Sequence, residues 1–149
     1  MDDNSIKTEK VHKEIDLIQS CISRMSKNSF LIKGWVITLI GIVFAMMPKG
    51  DPVALFYACI LLIFAVIGFW YLDAYYLQIE TRYRKLYELV IVLRQAGNTY
   101  RLYDLNPNRF KNEVGGIFNF IFSRTLVIFY ISPVILLGIC AIHNSQYLR

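Results

Sequence analysis

Histidine and cysteine are the side chains most often used for acid–base and nucleophilic chemistry near neutral pH. This chain has His12 and His143, and three cysteines, Cys21, Cys59 and Cys140. No CxxC pair or Cys/His spacing suits a zinc site. Cys59 and Cys140 lie inside apolar runs, where a thiol behaves as a small hydrophobe. His12 falls on a polar helical face and His143 at the edge of an apolar run, on opposite sides of any bilayer the chain crosses. His143 stands three residues from Cys140, but no acidic side chain is near to orient its imidazole. Glycine-rich phosphate loops, HExxH and EF-hand patterns are missing. The residues therefore point away from an enzyme, and no catalytic residue, metal or cofactor is assigned. Arg94, Tyr100, Arg101, Tyr103, Arg109 and Phe110 interleave charge with aromatic rings. They read either as a loop facing anionic headgroups or as a seat for a nucleotide.

Three other charged residues interrupt long apolar stretches: Lys33, Asp73 and Arg124. A charge in such a place is expensive unless it is paired or reaches water, so the elements carrying these three matter most. Residues 30–47 form a first candidate span, with Lys33 snorkelling toward the headgroups and Trp35 at the interface. The sequence Pro48-Lys49-Gly50-Asp51-Pro52 is a tight turn. Residues 52–72 are uncharged and give the strongest span, since a bilayer needs about 20 apolar residues. The two spans form an antiparallel hairpin, which brings Lys33 and Asp73 to the same membrane face and makes their contact an expectation. In the third apolar region, 117–142, residues 117–123 read as an interfacial lead-in and 125–142 as the span, kinked at Pro133. One uninterrupted helix would instead carry Arg124 into the bilayer. Arg124 thus either lines a pore or sets the depth of the span.

Two polar segments carry heptad seams. In 8–29 the seam is Val11, Ile15, Ile18, Ile22 and Met25, with Glu14 among the charges placed off it. In 75–96 it is Ile79, Tyr83, Leu86, Val90 and Leu93. They leave the same membrane face and pair as a short juxtamembrane bundle, within one chain or between subunits. Residues 98–113 are a loop.

The composition fits this plan. Of 149 residues, 56% are hydrophobic and only 18% charged. Mean hydropathy is +0.43. So small a chain has too little interior to hide that much apolar surface in water. The net charge of +5 is no nucleic-acid footprint. Thirteen Lys and Arg side chains fall in 1–33 and 73–113, against Lys49 alone in the first turn. By the positive-inside rule the N-terminus and the long middle segment are cytoplasmic, and the C-terminus is periplasmic or otherwise extracytoplasmic. The expected fold is an all-α integral membrane helical bundle, with three transmembrane helices and a cytoplasmic juxtamembrane helix pair. Asn28, Ser29, Lys33, Asp73 and Tyr76 fall at the rim where helices and spans meet. Such a polar layer could hold a closed state or serve as an interfacial anchor. Gly41, Ala45, Ala54 and Ala58 are small residues at helix-contact spacing, within the hairpin or between subunits. Three spans make a thin monomer, so a homo-oligomer is expected.

Two motifs, Asn28-Ser29-Phe30-x-x-Lys33-Gly34-Trp35 and Phe69-Trp70-x-Leu72-Asp73-Ala74-Tyr75-Tyr76-Leu77, resemble those of a family of small bacterial inner-membrane proteins. Arg82-Tyr83-Arg84-Lys85-Leu86-Tyr87 and Phe122-Ser123-Arg124-Thr125 are similar in kind. The resemblance extends over most of the chain. It implies a membrane partner of bacterial immune genes, active against phage, and brings no assigned chemistry. The expected function is an oligomeric effector that perturbs the inner membrane or forms a pore when its cytoplasmic part is triggered. A cytoplasmic defence protein or a signalling nucleotide would be the trigger. The alternative is a non-conducting anchor that recruits a cytoplasmic partner.

Overall fold

A computed structural model describes residues 3–47 and 50–148. Pro48 and Lys49 of the expected turn, and the side chain of Lys7, lie outside the described residues. The chain is all-α, with no strand among the described residues: α1 (Asp3–Met46), α2 (Pro52–Gln95), a 3₁₀ turn (Pro107–Phe110), α3 (Ile117–Ile121), α4 (Arg124–Ser145) and a closing 3₁₀ turn (Gln146–Leu148). Three helices, α1, α2 and α4, are long and apolar enough to cross a membrane.

Length shows how they divide. At about 1.5 Å per residue, the 22 residues of α4 span about 33 Å, one bilayer crossing. The 44 residues of α1 and of α2 each span about 66 Å. Half of each therefore projects beyond a bilayer. Residues 8–29 and 30–47 fall in one helix, and so do 52–72 and 75–96, where the helical pattern continues past Asp73 without a breaker. No proline interrupts either stretch, and a change in hydropathy alters what a helix faces without altering its backbone bonds. Both helices run unbroken from the projecting part into the membrane.

The ends of α2 are set by local chemistry. Asp51 Oδ1 accepts from the amides of Val53 and Ala54 at 3.1 and 2.9 Å, and Pro52 occupies the first turn. At the other end Gly97 takes φ +70. Its amide bonds the Arg94 carbonyl and that of Asn98 bonds Leu93, a Schellman closure. The third apolar region breaks where Ser123 turns extended (φ −61, ψ 141), so Arg124 opens α4. Pro133 lies inside α4.

α2 is the hub, packed along α1 and α4 and against α3. One core lies among the spans and includes Val36, Cys59, Leu62, Val66, Leu126, Tyr130 and Leu137. A second lies in the projecting part: Ile18 from α1, Leu86 and Val90 from α2, and Phe110 and Val114 from the connecting segment. Two helices alone cannot enclose a core, and the segment supplies the third wall. The lipid-facing loop expected over 98–113 is thus corrected to a strap folded on the helix pair. Gln78 Nε2 ties it down by donating to the Gly115 carbonyl at 2.9 Å. The projecting halves of α1 and α2 pair within one chain. The buried line on α1 is Glu14, Ile18 and Cys21, with Ile15 and Ile22 on its flank. The expected seam is therefore corrected by a rotation of part of a turn.

Candidate functional site

Ser29 and Lys33 are four residues apart and share one face of α1. Across from them, Trp70 and Asp73 share a face of α2. Asp73 is wholly buried. Its Oδ1 accepts from the Ser29 hydroxyl. Its Oδ2 accepts from Lys33 Nζ at 2.6 Å and from the Tyr130 hydroxyl of α4 at 2.9 Å. Lys33 Nζ also donates to Ser29 Oγ at 2.9 Å. The Trp70 ring stacks on Tyr130, with centroids 5.8 Å apart and planes within 5°. Its indole Nε1 donates to the Ile121 carbonyl of α3 at 3.0 Å. One carboxylate thus binds all three membrane-crossing helices, and the Trp70 indole adds the short helix α3.

A buried carboxylate loses several kcal/mol of hydration unless charge and hydrogen bonds replace it. Three donors, one of them a cation, do so here, and none comes from the backbone. Taking away any of the three helices would leave part of the group unsatisfied. The arrangement suits a joint between helices. Among the described residues no cluster of His, Cys, Asp or Glu is spaced to hold a metal ion.

Of the five residues expected in the polar layer, the structure brings Ser29, Lys33 and Asp73 together. Asn28 is half-buried one position away, and Tyr76 turns its ring edge to Tyr75; neither bonds Asp73. Tyr130 completes the cluster unforeseen, since a tyrosine among many aromatic residues in an apolar run carries no sequence signal. Arg124 is exposed at the first position of α4, outside the cluster. Ala58 is buried in the bundle and Ala54 half-buried, whereas Gly41 and Ala45 face outward. His12 is exposed on the projecting half of α1, and His143 is exposed in the last turn of α4.

A second polar node lies at the far end of the projecting part. Glu14 is wholly buried, and Arg94 grips it through Nε (2.7 Å) and Nη2 (2.9 Å). The Tyr103 amide donates to the same carboxylate at 2.8 Å. Arg94 Nη1 reaches the carbonyls of Asn98 and Tyr100. The hydrogen bonds to Glu14 raise the Arg94 pKa, and burial opposes them. Arg101 and Tyr103 adopt φ of 54 and 63, conformations costly for residues with side chains. The node holds the strap in that shape. The aromatic and basic set of 94–111 is accordingly corrected. Arg94 is taken up by Glu14, Phe110 is buried in the core, and Arg101 and Arg109 both face Asp104. Glu14 falls three residues after Val11 and four before Ile18, as seam-like a spacing as that of Ile15.

No family model, curated protein or solved structure matches the chain.

Proposed function

We propose that this protein is an oligomeric effector of bacterial antiviral defence in the inner membrane. Its projecting helices are cytoplasmic, and their engagement by a trigger rearranges the spans and breaches the bilayer. The observation that carries the reading is the joint at Asp73. Helices α1 and α2 pass unbroken from the projecting part into the membrane, and this one carboxylate bonds side chains of both α1 and α4. A shift of the projecting pair therefore reaches all three spans, and an intact joint holds them closed. The outward Gly41 and Ala45 leave a close-approach face on α1 for a second copy. The charge asymmetry supports the cytoplasmic placement, and the resemblance of the two rim motifs supports the link to defence.

Cells carrying the protein, stained with a potential-sensitive dye and challenged with phage, should depolarise before they lyse. The Arg124→Leu variant should alter the toxicity if Arg124 faces a shared interior. A silent dye, together with a stoichiometric cytoplasmic partner on purification, would overturn the effector reading in favour of the recruiting anchor. The mass of the detergent-solubilised complex separates an oligomer from a monomer.

A further inference from the structure

We infer that a furrow along α1, from Ser23 to Thr38, binds one anionic phospholipid, with the phosphate at Lys27 and an acyl chain laid over Gly34. The inference stands whether or not the protein breaches the membrane. Ser23, Lys27, Phe30, Gly34 and Thr38 follow one another at steps of four, three, four and four, so they line one face of the helix. Two hollows lie on that face. The first, of 620 Å³, sits between the projecting halves of α1 and α2, and Ser23, Ser26, Lys27 and Arg84 line it. The second, of 290 Å³, lies next along the helix in the apolar part, between Phe30, Gly34, Trp35 and Thr38.

The change of lining along the furrow is that of a phospholipid. The first hollow offers two cations, Lys27 and Arg84, and the hydroxyls of Ser23, Ser26 and Tyr87, beyond the apolar half of α1. Lys27 stands six residues from Lys33, about 9 Å farther from the bilayer centre. Lys33 is already engaged by Asp73, whereas Lys27 is exposed. Arg84 bonds Glu80 through Nε and Nη2. The one carboxylate lining the hollow, Glu88, stands a turn beyond Arg84, away from the membrane, where it can accept from headgroup hydroxyls. The apolar hollow has a floor without a side chain, since nothing lies within 4 Å of where a Gly34 Cβ would point. Phe30 and Trp35, 77% and 63% exposed, form its walls. From Lys27 to Thr38 the helix rises about 17 Å, close to the length of an acyl chain.

The test reconstitutes the full chain in nanodiscs of equal phosphatidylglycerol and phosphatidylcholine, then measures the lipid that stays bound after detergent extraction by native mass spectrometry. The wild type should retain phosphatidylglycerol about fivefold over its share, the worth of one basic side chain at an anionic surface. Lys27→Gln should bring the ratio to that of the mixture. Gly34→Leu, which meets open space and leaves the fold intact, should lower the total retained. No enrichment in the wild type, or wild-type retention in both variants, would overturn the proposal. Loss with Lys27→Gln but not with Gly34→Leu would also overturn it, in favour of a free phosphate-bearing ligand in the first hollow.

Discussion

The two buried carboxylates, Glu14 and Asp73, do opposite work with similar means. Each is wholly buried and each faces one cation. The partners of Glu14 are a guanidinium five per cent exposed and a backbone amide, both at the strap, so this node fixes a loop against a helix pair. The partners of Asp73 are three side chains from two other helices, so that node fixes helices to one another. They also differ in what a break would leave behind. Arg94 is held by Glu14 on one side and by the Asn98 and Tyr100 carbonyls of the strap on the other. Lys33 is 20% exposed and can reach the headgroup layer. The node that costs most to break is therefore the local one, and the node that is easier to open is the one that joins the spans.

Glu14→Ala should have the largest effect. It strands Arg94 as an uncompensated buried charge, a loss of about 3–5 kcal/mol. Amide exchange should rise across 98–114 while α4 keeps its protection; equal loss in α4 would erase the contrast. Asp73→Ala should destabilise by about 1–3 kcal/mol, with Lys33 relaxing outward. Exchange should then rise in α4 and not in the strap, and the proposed oligomer should dissociate more readily in detergent. Tyr130→Phe removes one of three donors while keeping the stack on Trp70, so thermal unfolding should register about 1 kcal/mol. The smallest effect concerns Tyr83 in the projecting half. Burial raises its phenol pKa, with a further contribution from Cys21. A raised phenol contributes stability that is complete below the unfolded pKa of about 10 and is lost as pH rises through the folded value. Tyr83→Phe should flatten stability against pH above that point, and an unchanged alkaline slope would remove Tyr83 from the account.

What the sequence made legible follows the same contrast. Lys33 and Asp73 stood out because charges inside apolar runs must be resolved somehow, and the hairpin topology placed them together. Tyr130 was hidden because its partner lies 57 residues away and its polar atom looks like part of an aromatic span. Glu14 and Arg94 were hidden by abundance: in a segment rich in charges, nothing separates a buried pair from a solvated face except a seam register that an apolar count misassigns by one position. The strap was hidden because Phe110 and Val114 show no periodicity. The continuity of α2 past Asp73 was legible in the lack of breakers up to Ala96, whereas in α1 the shift in hydropathy obscured the same signal.

The claim that the Asp73 joint holds the spans closed is tested most directly by ion flux from sealed liposomes containing either the wild type or Asp73→Asn. The substitution keeps the size of the side chain and removes the charge that Lys33 faces. Tight wild-type vesicles and leaking Asp73→Asn vesicles are expected. Equal tightness, in a variant whose unfolding shows the joint to be weakened, would contradict the account and leave Asp73 a structural tie alone.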